Sequence, residues 1–309
     1  MDHNILDGSF GEEYSKNRNL NSNKPQLRER PPRNLNMFTK LTLLNGGLLT
    51  QMGWAFMGLG LIFTWIFVGQ SEAKYWLSFD GSWEETSGIV QEIHTTGAEV
   101  NGRDVFRYVF SYSVGSENFS GTSYSSGSEA RNLRMNDMVT VKYKSGNYER
   151  AKIEGMTTEM FPSWIAFVLI FPFLGFFMLL GGLYGGKQMI NLLVNGKFTH
   201  GKYLSRKDSG SRVNQRTVWA YEFTFEVNNQ SYIAKCQTHK THLVEDEEKE
   251  IILYMPDKPE ESTVFDAIPG VPSIDRMGKL EAAPTSSAKY LILPVLAIVV
   301  NVIIAFFMF

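Results

Sequence analysis

Residues 86–121 read TSGIVQEIHTTGAEVNGRDVFRYVFSYSVGSENFSG, and residues 199–234 read THGKYLSRKDSGSRVNQRTVWAYEFTFEVNNQSYIA. The two stretches align without a gap at a shift of about 113 residues, with roughly ten identities in about 36 positions. Gly88 falls on Gly201, Gly97 on Gly210, Val100-Asn101 on Val213-Asn214, Arg103 on Arg216, Tyr108 on Tyr221, Phe110 on Phe223 and Val114 on Val227. Chance does not hold an ungapped register that long, so the chain carries a duplication. Within each copy the side chains alternate. Phe106, Tyr108, Phe110, Tyr112 and Val114 share one face, and Trp219, Tyr221, Phe223, Phe225 and Val227 do the same. Alternation at period two predicts half-buried strands with one wet face. Gly115-Ser116 and Asn228-Asn229 then suit tight hairpins, with return strands around Phe119 and Tyr232. A later strand holds Val139, Val141 and Tyr143. Its counterpart, Ile252 and Tyr254, sits at a shift of about 111, which implies a loop about two residues shorter in the second copy. Short final strands are expected near Ala151 to Ile153 and Ser262 to Phe265. Each copy thus has about five short antiparallel strands, in domains at residues 84–156 and 197–268. So few strands must cover their edges, as a small barrel or as a two-layer sandwich.

The 309 residues carry a net charge of -2, and the mean hydropathy of -0.16 conceals strong segregation. Three uncharged apolar stretches, at 46–70, 162–186 and 290–309, are each long enough to span a bilayer core as a helix. Trp54, Trp65, Trp164, Tyr184 and Tyr290 lie where interfacial aromatics belong. The expected fold is therefore an α+β membrane protein with three transmembrane helices and two duplicated small β-domains. Residues 1–40 form a polar arm rich in Asn, Arg, Ser and Pro, which is expected to be disordered, and residues 269–289 form a linker. No cleavable signal is visible, so the first span reads as a retained anchor.

Lys and Arg bias sets the orientation. Lys24, Arg28, Arg30, Arg33 and Lys40 precede the first span. Lys187, Lys197, Lys202 and Arg206 follow the second, and Arg276, Lys279 and Lys289 precede the third. Lys142, Lys144, Arg150 and Lys152, before the second span, run against the pattern. The balance favours a cytoplasmic N-terminus, with the first β-domain outside and the second inside. The only cysteine, Cys236, excludes an intrachain disulfide and suits a reducing compartment.

The order Gly88-Ile89-Val90, then Tyr-x-Phe-x-Tyr/Phe-x-Val, then a hairpin with an aromatic, then the strand and Pro/Asn turn of Val139 to Asn147 and Ile251 to Pro259, resembles a widespread bacterial family. That family is known only as a domain of unknown function, a small β-domain beside membrane helices, here in tandem. The resemblance covers about 200 residues, counted as two copies with their spans. Copy two departs from it at Gly201-Lys202-Tyr203. The resemblance implies a bacterial inner-membrane location and this architecture, and brings no activity.

The chemical candidates are thin. Cys236, His239 and His242 have ligand-type side chains, with Glu245 and His200 as possible fourth ligands, but alternation on a strand would keep them from converging. Gly121-Thr122-Ser123-Tyr124-Ser125 lacks the final Gly of a nucleophile elbow and sits on a hairpin strand, with His94 the only nearby base. Arg103 and Arg216, beside Asn101 and Asn214, are first of all turn residues and could touch lipid headgroups or a partner. The acidic run Glu245 to Glu250 lacks the alternation and Gly turn of a calcium loop. In the spans, Gly181 and Gly185, with the overlapping pair Gly182 and Gly186, permit close helix packing, and Pro172 should kink the second span. Asn301 should bond another helix, with Thr64 or a carbonyl near Pro172 as partner.

The sequence therefore reads as a non-enzymatic scaffold or binding protein without cofactor. Its expected partners are the bilayer and either a second copy or other membrane proteins, and not nucleic acid. A subunit of an oligomeric transporter or channel and a membrane-bound metal-dependent hydrolase are the alternatives.

Overall fold

A computed structural model of the chain describes residues 28–78, 81–127, 132–213, 215–245, 249–270 and 272–308. The first part of the arm, Asn214, the acidic residues 246–248 and Phe309 lie outside the described residues. The chain forms an α+β protein with two five-stranded antiparallel sheets and three helices long and apolar enough to cross a membrane, at Leu48–Val68, Ser163–Asn195 and Thr285–Phe307. It divides into two compact units. One holds residues up to Ala55 together with Phe176–Leu296; the other holds Phe56–Gly175 and Ala297–Phe309.

The helices are α1 (Met37–Asn45), α2 (Leu48–Phe63, continued as a π-helical turn Thr64–Val68), α3 (Ile170–Asn195, preceded by the 3-10 segment Ser163–Leu169) and α4 (Lys289–Met308). The first sheet comprises β1 (Trp83–Val100), β2 (Arg103–Val114), β3 (Glu117–Ser125), β4 (Met138–Lys144) and β5 (Asn147–Ile153), in the order β3-β2-β1-β4-β5. The second comprises β6 (Lys197–Val213), β7 (Arg216–Val227), β8 (Gln230–Thr238), β9 (Glu250–Met255) and β10 (Lys258–Val264), in the order β10-β9-β6-β7-β8. These orders are the same with the copies exchanged.

The register repeats as well. Val90 faces Phe110 as Tyr203 faces Phe223, Tyr108 faces Ser123 as Tyr221 faces Cys236, and Val141 faces Ile153 as Ile252 faces Val264. Five strands per copy are as the alternation predicts, but β1 and β6 are not short. At 18 and 17 residues each must serve two neighbours, its first half pairing with β4 or β9 and the rest with β2 or β7. Such a strand has to bend. Bulges at Val90/Glu92 and Thr95/Glu99 recur at Tyr203/Ser205 and Asp208/Arg212. Gly97 and Gly210 lie inside the second bulge of each copy with φ of 73° and 74°, the left-handed region that glycine enters without strain. Their match in sequence is a match of backbone conformation.

In the first sheet the edges meet. Ser123 Oγ on β3 accepts a hydrogen bond from the Ile153 amide on β5 at 2.7 Å, and Tyr124 bridges to Thr157. Val90, Tyr108, Phe110, Tyr112, Val141 and Ile153 fill the concave side. Tyr221, Phe223, Phe225, Val244, Ile252 and Val264 do so in the second. The hairpin turns match their residues: Gly115 has φ 63°, and Asn228 and Asn229 have φ 51° and 61°, as primed turns require.

Two segments flanking the apolar stretches pack against the second sheet. The described part of the arm, from residue 28, is packed. Leu35 is buried, Asn36 caps α1 by accepting from the Thr39 amide, and the Arg33 amide donates to the Val194 carbonyl. The helix that carries the second apolar stretch does not stop at 186, since α3 runs on to Asn195. Leu192 and Leu193 pack there with Leu35, Leu43, Leu253 and Phe265. Pro172 makes no mid-helix kink. It lies in the first turn of α3, just past the change from 3-10 to α geometry, where a proline's missing amide costs little.

Candidate functional site

Arg103 and Arg216 open β2 and β7 at the tips of the two long hairpins. Asn101 and Gly102, with φ 53° and 72°, make the turn before Arg103, and Gln215, φ 64°, precedes Arg216. Both arginines are exposed. Arg103 also borders an open depression of about 500 Å³ shared with Leu133, Thr140 and Glu154.

Cys236 lies on β8 with its side chain in the core of the second sheet. Burial, reinforced by the nearby Glu250 carboxylate, pushes its thiol up to about 12. A thiol held protonated is a poor metal ligand and a poor nucleophile. His239 falls just beyond β8 and His242 in the turn Thr241–Leu243. Among the described residues, no group of three or more His, Cys, Asp and Glu side chains gathers as metal ligands would. His239 is held below the usual imidazole range by burial and by Lys240, Arg216 and Lys289, so it stays neutral.

The raised thiol carries a sign. Its folded value exceeds its unfolded one, so its contribution is fully present below about pH 9 and is lost as pH rises toward 12. Iodoacetamide at pH 8 should therefore modify Cys236 at the rate of unfolding. Alkylation as fast as that of an unfolded control would contradict its burial.

A cluster of charged and aromatic groups gathers on the second sheet around Arg206. Arg206 on β6 pairs with Glu245 at 2.9 Å and stacks over the Trp219 ring at 4.4 Å, while the buried Tyr221 hydroxyl donates to the same carboxylate. Burial and Glu245 raise the Tyr221 phenol, so it remains a donor. The first copy has Ile93 and Phe106 at the positions of Arg206 and Trp219. The cluster is a closed ion pair that ties the loop after β8 to the sheet. Read separately, Arg206 counted only toward orientation and Glu245 only as a ligand candidate.

Helix packing uses the second glycine pair. A Cβ on Gly182 would collide with Thr50, and one on Gly186 would come within 2.7 Å of Leu44. Gly181 faces only Leu49 at ordinary-to-tight distance, and Gly185 meets nothing. The two pairs are one residue apart, or about 100° around the helix, and it is the Gly182 and Gly186 face that meets the backbone of Thr50 and Leu44. Asn301 donates to the Gly58 carbonyl of α2 at 3.1 Å and to its own Ala297 carbonyl at 2.8 Å. The partner is not Thr64, whose hydroxyl returns to the Gly60 carbonyl. Gly58 packs against Ala297 and Gly60 against Pro172, and that close approach exposes the Gly58 carbonyl to the amide.

Neither family models nor curated proteins match this chain. The residues therefore have to supply the functional argument themselves.

Proposed function

We propose that this is an integral membrane protein crossing three times, with two small β-barrels that bind or scaffold other membrane components and catalyse nothing. The filling of the sheet interiors carries this reading. Stacked rings occupy them, Tyr112 with Phe119 and Tyr143 in the first and Phe225 with Tyr232 in the second. Charged groups that converge satisfy one another, as Arg206 does with Glu245 and Lys235 with Glu222. A binding site for a small substrate needs convergent polar groups left open to it, whereas a scaffold needs rigid modules with exposed rims.

The proposed orientation puts the N-terminus and second barrel in the cytoplasm and the first barrel outside, in a bacterial inner membrane. Charge bias favours it. So does packing within one unit. Residues 28–43, the end of α3 and residues 265–283 hold together through Arg33, Leu43, Leu193 and Phe265, and the Ala283 amide donates to Thr39 Oγ1. An arm and a sheet so joined share a compartment. Partners in this reading are the bilayer and a second copy or another membrane protein.

Two measurements test it. Glu99→Cys and Arg212→Cys, at equivalent exposed positions, are placed in a Cys236→Ser background, Ser being the residue of the first copy at that position. An impermeant maleimide should label the first in intact cells and the second only after permeabilisation. Equal labelling from one side overturns the orientation. Crosslinking in native membranes should give a discrete species larger than the 35.1 kDa chain. A protein that remains uncrosslinked and monomeric is not a scaffold.

A further inference from the structure

Just beyond the π-helical end of α2, the 3-10 turn Glu72–Tyr75 leads into Trp76 and Leu77, which are 63% and 86% exposed. The wet face of the first sheet lies beside this turn. Lys144 on β4 and Arg150 and Lys152 on β5 point outward because Tyr143, Ala151 and Ile153 point into the core. All three cations surround Trp83 at the start of β1, with Lys144 Nζ 4.7 Å, Lys152 Nζ 5.1 Å and the Arg150 guanidinium 5.8 Å from its ring. Arg150 also stacks on Tyr75 at 3.8 Å, which fixes the cluster against the end of the helix. Three nearby carboxylates have partners of their own. Glu159 takes Lys74 at 2.8 Å and the Tyr75 hydroxyl, Glu84 takes the Tyr143 hydroxyl, and Glu72 takes the Thr158 amide. On the same sheet face Lys142 is neutralised by Glu85 and Glu154. Lys144 and Lys152 thus lie together around Trp83 at the end of the sheet next to the apolar helix.

We infer that the Trp83, Lys144, Arg150 and Lys152 face is a binding surface for anionic phospholipid headgroups. The inference rests on the reading that α2 crosses a membrane. Cations at the headgroup level attract an anionic leaflet, and an aromatic ring among them fits the amphipathic boundary where Trp is enriched. Exposed Trp76 and Leu77 follow the same turn and add apolar surface. This use also accounts for the basic residues that run against the charge bias, since they serve the lipid surface of their own side.

Native mass spectrometry of the full-length protein, titrated with phosphatidylglycerol or phosphatidylcholine in neutral detergent, tests it. The wild type should retain phosphatidylglycerol preferentially. Lys144→Gln with Lys152→Gln should lower that retention by about fivefold for each lysine removed, and Lys144→Arg with Lys152→Arg should restore it. Salt gives a reading that needs no variant: raising it from about 0.05 to about 0.5 M should erase the preference. Equal retention of both lipids by the wild type, full retention by the Gln variant, or a salt-insensitive preference each overturns the inference. Maleimide labelling at Glu99→Cys and Arg212→Cys is read separately, so the lipid surface can fail while the orientation stands.

Discussion

Phe110→Ala should lower stability by about 3–5 kcal/mol, and Phe223→Ala by a similar amount. Both rings are fully buried and occupy equivalent places, central in β2 and β7 and facing Val90 or Tyr203 on the long strand. Truncation removes the buried ring and leaves a cavity that the twisted sheet cannot close, because Tyr112 is held by Phe119 and Tyr143, and Tyr221 by its hydrogen bond to Glu245. The copies differ on the neighbouring strand. Gly121 lies opposite Phe110 and is covered by its ring, whereas Ala234 lies opposite Phe223. Gly121→Ala should therefore be destabilising through overlap with the ring, while the second copy already carries the methyl. Thermal unfolding of the full chain in detergent measures all three, and a wild-type melting temperature for Phe110→Ala would contradict the packing.

Arg33→Ala should cost on the order of 2–4 kcal/mol. Arg33 is buried, and its Nη1 donates to the Leu193 and Gly196 carbonyls, each at 2.9 Å, where α3 ends. Its Nε donates to the Glu29 carbonyl and its guanidinium lies 4.9 Å from the Phe198 ring. Burial lowers its pKa from the ordinary arginine value, yet a guanidinium stays charged. A cation at a helix C-terminus is favoured by the dipole, and alanine would strand two buried carbonyls. Arg33→Lys keeps the charge but loses the fork, and should fall between the two. Limited proteolysis gives a second measure, with cleavage between residues 28 and 36 expected to accelerate in Arg33→Ala. Unchanged melting and unchanged cleavage would show that the arm contributes nothing.

The sheets were legible because a half-buried strand writes its buried face in every second residue. Tyr108, Phe110 and Tyr112 could only face inward together. The long strands were hidden: β1 runs through Glu92-Ile93-His94-Thr95-Thr96, where bulges break the alternation that a period-two reading needs. The repeat of Gly97 was visible without its cause, since a bulge is a property of pairing and appears only with the partner strand. Arg33 was unreadable for the same reason, as the carbonyls it caps lie about 160 residues away. Gly181 and Gly182 could not be separated, because two overlapping small-residue pairs predict the same helix and differ only in which side meets a neighbour. Asn301 was legible as a residue in need of a bond. Its acceptor was set by the contact of Gly58 with Ala297, which no single helix contains.

The arm joined to the second sheet has a consequence for how the protein is made. The Leu280 amide donates to Glu29 Oε2 across 251 residues of chain, and the Arg28 and Glu29 amides both donate to the Gly278 carbonyl. At roughly 5–20 residues per second of synthesis, the arm emerges roughly 10–50 s before its last partner exists. During that interval Arg33 and Leu35 lack the surfaces that bury them. The first sheet, β1 through β5, draws only on chain already made and can close in the meantime. Residues 28–35 are thus made well before the chain that buries them, and a ribosome stalled before Gly278 would hold a finished first sheet and an arm still undocked.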